Sequence, residues 1–219
     1  VLAFLLTGAI LAFNILRPIT VLPRITPAPG YALQDPTGAI VNSEAQRGKL
    51  TLYSFTYSEC ADPCVQSAAD IAATRGALAT ALPSDVTVDF LTISVDPEFD
   101  TPQRLAELQA ANAGPEADGV PWTFLTSDPL RTRMAVGKGF GVYFAEPKVE
   151  PDATRSVTFD PRYVLVDGWG IIRAEYRAAR PDPEILERDV NLLVSEARNS
   201  SGLVKLGYEA AHLFACYPR

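Results

Sequence analysis

Cysteine is scarce in this chain, with three among 219 residues, too few for the disulfide framework of a small secreted scaffold. Clustered basic residues are missing as well. Lys and Arg number 19 against 26 Asp and Glu, and the formal net charge is -7. With no basic stripe to meet a phosphate backbone, nucleic acid is excluded as a partner. No internal repeat is visible, which excludes a repeat architecture. Histidine occurs once, as His212. The length suffices for one full domain with a sizeable core and some additional segments.

What is present begins with VLAFLLTGAILAFNIL, sixteen residues without a charge before Arg17. A span needs about 20 apolar residues. A signal-peptide core would lead into a small-residue cleavage site, yet Arg17, Pro18 and the Pro-dotted ITVLPRITPAPG follow. A buried core helix would show a polar stripe, whereas only Thr7, Gly8 and Asn14 interrupt the run. Residues 1–17 are therefore expected to be a single transmembrane anchor. Residues 18–30, with Pro18, Pro23, Pro27 and Pro29, are expected to be a stiff spacer. A globular domain over 31–198 and a tail over 199–219 complete the expected organisation.

Within the domain, KLTLYSF reads as a buried strand and DPTG before it as a tight turn. PCVQSAADIAATRGALATAL reads as a helix with Pro63 in its first turn, which puts Cys60 in a loop and Cys64 in that first turn. VTVDFLTISVD is a second strand, Thr101 and Pro102 cap a second helix, and WTFLT is a third strand. A short helix follows from Asp128, then a polar insertion, the strand pair RYVLVD and IIRAEYR, and a last helix from about Pro183. This order predicts an α/β fold with a mixed central sheet flanked by helices. A cysteine motif at the carboxyl end of the first core strand places it among thioredoxin-like architectures.

Cys60 and Cys64, four residues apart in TYSECADPCVQS, can face one way and come near enough for a disulfide. Three uses stay open: a local staple, a redox pair, or two thiolates for a soft metal such as Cu(I). A staple closing so small a loop removes little entropy from the unfolded chain. The pair is not a CxxC site, since three residues intervene. Nor is it a peroxiredoxin loop, whose Pro and Thr are replaced here by Tyr53 and Tyr57. Asp96, Glu98 and Asp100 form an acidic loop that either faces the cysteines toward a basic partner or serves capping and turn chemistry. Trp122 and Trp169 read as core or turn packing.

The chain resembles the SCO/SenC family from about Tyr31 to Arg198. GYALQDPTGAIVN, RGKLTLYSFTYSECADPC with its CxxxC, ISVDPEFDTP, and WTFLTSDP followed by GFGVYF carry the resemblance. It implies a thioredoxin-like, membrane-anchored protein on the extracytoplasmic, periplasmic side. Cys60 and Cys64 would be copper ligands, or a redox couple when metal is absent. Its partners would be subunits of an oxidase or another respiratory or photosynthetic electron-transfer complex, whose copper centre the family serves to assemble.

The chain departs from the family at the third ligand. Where the family has a histidine before the strand reading YVLVD, this chain has Thr158 or Phe159, with Asp160 adjacent. Asp160 offers only a hard oxygen donor, poorly matched to Cu(I). His212, with Cys216 four residues on, is a substitute ligand only if the tail returns to the site. An alternative function follows from the loss: a non-catalytic accessory subunit of a membrane electron-transfer complex.

Overall fold

The strand that organises the fold is also the one that delivers the cysteines. In this computed structural model, which describes residue 8 and residues 19–61, 64–112 and 119–214, the described residues form two compact units. Ile25–Glu187 is one, and the described parts of Val1–Arg24 and Arg188–Arg219 form the other.

In the first unit the strands are β1 (Thr26–Pro27), β2 (Ala32–Gln34), β3 (Ile40–Asn42), β4 (Leu50–Thr56), β5 (Val88–Ser94), β6 (Trp122–Leu125), β7 (Lys148–Val149), β8 (Arg155–Ser156), β9 (Tyr163–Val166) and β10 (Ile171–Tyr176). Six of them make one sheet in the order β1-β10-β9-β4-β5-β6, and β2-β3 and β7-β8 are separate two-stranded pairs. β4 runs parallel to β5 and antiparallel to β9, so the predicted mixed sheet is present. Both faces of β4 are covered, which is why its residues from Thr51 to Thr56 are all buried. Alternation still sorts them. Tyr53, Phe55 and Tyr57 share one core cluster with Leu91, Ile93, Val95, Val164 and Val166, and the cluster extends to Cys60. Some polar side chains inside form a paired group: Ser54 meets Thr92 at 2.7 Å, and Trp122 Nε1 donates to Thr92 at 2.8 Å.

The helices of this unit are α1 (Ala68–Ala81), α2 (Pro102–Asn112) and the short α3 (Pro129–Thr132), which continues as a π-helix over Arg133–Gly139. α1 starts later than the sequence predicts. Ser67 is its N-cap: Ser67 Oγ accepts from Asp70 N at 3.2 Å, and Asp70 accepts in return from Ser67 N at 3.0 Å. This capping box outcompetes Pro63 as the start signal, so Cys64 precedes the helix instead of sitting in its first turn. Pro63 itself lies outside the described residues.

The predicted spacer contains part of the sheet. Thr26 and Pro27 form β1 at its edge, opposite Ile172 and Ile171 of β10. Proline is tolerated there because an edge strand leaves its missing N–H facing away from the ladder. Across β9 and β10 the register shifts between Ile172 and Ala174, and buried Arg173 reaches Asp167 at 2.8 Å. Trp169 sits at the turn joining these strands and is 81% exposed, so it packs in no core, while Trp122 is buried as predicted.

α4 (Pro183–Arg198) and α5 (Gly202–Phe214) follow. In the second unit Arg24 meets Glu209 at 3.0 Å. Among the described residues, no helix is long and apolar enough to cross a membrane. The run expected as an anchor, 1–17, lies outside the described residues except for Gly8.

Candidate functional site

Cys60 and Cys64 form a disulfide with Cα atoms 5.2 Å apart. The loop that carries them leaves the end of β4 and is held from several sides. Cys60 N donates to Tyr57 O at 3.1 Å and Cys64 N to Ala61 O at 2.7 Å, so tight turns bring the two sulfurs together. The sulfurs are not equivalent. Cys60 is 6% exposed and lies in the core cluster, whereas Cys64 is half-buried at its margin. Cys60 Sγ lies 3.2 Å from Gln66 O, a carbonyl that also accepts from Thr56 Oγ1 at 2.7 Å.

The acidic loop expected beside the cysteines is mostly inside the protein. Asp96 and Asp100 are fully buried, and only Glu98 is exposed. Asp100 accepts from Ser58 N at 3.0 Å, from Ser58 Oγ and from Ser94 Oγ, pinning the cysteine loop to the end of β5. Burial pushes the Asp100 carboxyl up; the Ser58 and Ser94 bonds oppose this, and neighbouring Asp96 adds to the rise. Asp96 accepts two bonds from the Arg155 guanidinium, at 2.6 and 2.9 Å. Arg155 N in turn donates to Glu59 Oε2 at 2.6 Å. These carboxylates are structural anchors for the loop, so of the two readings of this loop, Asp96 and Asp100 do not support the surface for a basic partner.

The third position expected of a metal site resolves to one residue. Thr158 and Asp160 point outward and are exposed, while Phe159 is 4% exposed and belongs to the same buried cluster as Cys60. A β-bridge between Phe144 and Phe159 sets this alternation, with Ala145 N bonded to Thr158 O and Asp160 N to Tyr143 O. The Phe159 ring meets Tyr57 edge to face, centroids 6.2 Å apart. A phenyl ring donates no electron pair to a metal, so a three-donor copper site is incomplete at this position. Among the described residues, no group of three His, Cys, Asp or Glu side chains is arranged to hold a metal ion.

His212 is on α5 in the second unit, where its Nε2 lies 2.8 Å from Glu196 Oε1. Its expected companion Cys216 lies outside the described residues. Two further residues at the site carried no signal in the reading of the sequence. Gln66 and Arg155 are separated from their partners Arg162 and Asp96 by 96 and 59 positions, so only folding brings them together.

The SCO1/SenC family model matches residues 24–194. No curated protein matches the chain. Among solved structures, copper-bound ScoI of Arabidopsis thaliana is similar with a TM-score of 0.62 at 24% identity, over 78% of this chain and 98% of that one. Copper-bound yeast Sco1 is similar with a TM-score of 0.63 at 21% identity, over 83% and 98%. BsSco, a member of the Sco family of cytochrome c oxidase assembly proteins in which a disulfide switch has been identified, gives 0.63 at 23% identity, over 80% and 97%. These likenesses establish the thioredoxin-like fold, and the family model covers most of the sequence. The chain belongs to the SCO1/SenC family.

Proposed function

We propose that this protein is a thiol–disulfide oxidoreductase of the SCO1/SenC family, acting through Cys60 and Cys64. In this reading it is anchored by residues 1–17 with its domain on the extracytoplasmic side, and it serves subunits of a membrane electron-transfer complex. The observation that carries the reading is the disulfide between Cys60 and Cys64, with Phe159, in the same buried cluster as Cys60, at the position where the family resemblance puts a third metal donor. The pair can still change redox state, but among the described residues no third sulfur or nitrogen donor joins it. Copper is bound by relatives with this fold, as the Arabidopsis thaliana and yeast structures describe. Here, among the described residues, the two reduced thiolates would be the soft donors at the site. The apolar run VLAFLLTGAILAFNIL supports the anchor.

A competition titration with a chromophoric Cu(I) chelator on the reduced protein tests the assignment. Wild type is expected to bind Cu(I) at least about tenfold more weakly than a Phe159→His variant, a difference of about 1.4 kcal/mol. Cys60→Ser and Cys64→Ser are expected to abolish the variant's gain. Equal, tight binding by wild type and Phe159→His would instead assign copper carriage to the native protein. Equilibration of the disulfide with glutathione buffers provides the complementary measurement. A pair that cannot be reduced in the folded protein would favour the accessory-subunit function.

A further inference from the structure

We infer that Cys64 is the sulfur attacked during exchange and that Gln66 is the positioning residue that enforces the choice, an inference resting on the thiol–disulfide reading above. Gln66 is fully buried although polar. Its side chain bridges to the backbone leading into β9: Gln66 Oε1 accepts from Arg162 N at 3.0 Å, and Nε2 donates to Arg162 O at 3.5 Å. Its carbonyl is fixed from the other side by the Thr56 hydroxyl at 2.7 Å. That carbonyl stands 3.2 Å from Cys60 Sγ. Cys60 is thereby held in the interior with a fixed acceptor beside it, while Cys64 reaches the surface next to Val65, which is 47% exposed.

Exchange requires an incoming thiolate to reach a sulfur in line with the bond that breaks, so access selects the target. Cys64 is the more exposed of the two residues, partly buried where Cys60 is buried. The substrate class is a dithiol polypeptide with one accessible cysteine. Its thiolate attacks Cys64 Sγ, the Sγ–Sγ bond breaks, and the electron pair remains on Cys60 Sγ. Cys60 takes up the proton that the attacking thiol released to solvent and then donates it in a hydrogen bond to Gln66 O. The partner's second thiolate attacks its own sulfur in the mixed disulfide, forming the partner's disulfide and releasing Cys64, which is protonated. The protein gains two electrons and two protons, and the partner loses them.

The test treats the oxidised full chain with reduced glutathione, quenches at short times with N-ethylmaleimide, and maps both adducts by mass spectrometry. Glutathione is expected on Cys64 and maleimide on Cys60, with at least a tenfold preference over the reverse pattern. Gln66→Leu is expected to lower the preference below threefold. Thr56→Val, which releases the same carbonyl with little change of shape, is expected to act in the same direction, and Thr56→Ser to restore the wild-type ratio. Thr56→Val decides the matter if Gln66→Leu does not fold. An equal or inverted pattern in wild type overturns the assignment of Cys64. A ratio unchanged in the folded variants overturns the role of Gln66. A disulfide that neither glutathione nor dithiothreitol opens under native conditions overturns the thiol–disulfide reading itself, a result distinct from adducts on the wrong sulfur.

Discussion

Asp100 shows how a residue that reads as surface charge becomes part of the site's frame. Its spacing in PEFD fits a turn or a cap, and that local reading is incomplete because the hydroxyls it binds, on Ser58 and Ser94, come from the cysteine loop and β5. Burial, with opposing bonds from those serines and a further contribution from Asp96, leaves its pKa above the ordinary 3.8. The folded protein therefore holds a proton at Asp100 over a range where the unfolded chain has lost it. Stability is lost as pH rises from the ordinary value through the raised one, and is level above it. Asn cannot titrate. The difference in thermal midpoint between wild type and Asp100→Asn is therefore expected to shift against wild type as pH rises above the ordinary carboxylate value of about 4. A difference that stays constant over that rise would contradict the raised value. Phe159 teaches a related lesson. The absence of histidine was readable, but Thr158 and Phe159 were indistinguishable until the bridge to Phe144 set which side chain turns inward.

At the scale of elements, the cysteine loop is held by segments far apart in sequence. The Arg155 side chain joins the β7-β8 pair to the end of β5 through Asp96, and its backbone reaches Glu59. The guanidinium also lies 5.0 Å from the Phe99 ring, so the contact combines charge, hydrogen bonds and a cation–π component. Removing it leaves Asp96, which is fully buried, without its counter-charge. Arg155→Ala is expected to cost about 3 kcal/mol. Chemical denaturation should show this as a lower midpoint with an unchanged slope. A loss within about 0.5 kcal/mol, the range of an ordinary surface substitution, would show that the pair does not hold the loop. The start of α1 belongs to the same scale. Its S-x-x-D capping box was present in the sequence, yet the apolar spacing and Pro63 pointed three residues or more upstream.

For the whole molecule, the disulfide closes only the short segment between positions 60 and 64, whereas the sheet is held by pairings across most of the first unit. Chain entropy assigns so small a loop about 2 kcal/mol. The double variant Cys60→Ser with Cys64→Ser is expected to stay folded with its thermal midpoint lowered by roughly 4–8 °C. Calorimetry would show this as one cooperative transition for the domain. Collapse of the fold would make the disulfide a structural staple and remove its freedom to act as a redox pair.

The pattern of strands, helices and the CxxxC by itself determined the α/β class, the mixed sheet and the place of the cysteines at a strand's end. Those features follow from apolar periodicity and turn residues, which act over a few positions. The tertiary structure decided what lies around the sulfurs. It buried Cys60 and left Cys64 at the margin, turned Phe159 inward and drew Asp96 and Asp100 into internal bonds. It also set the Gln66 carbonyl beside Cys60. Each outcome depends on partners brought from distant segments, and burial, which no short stretch of sequence specifies, sets the access and charge of every group at the site.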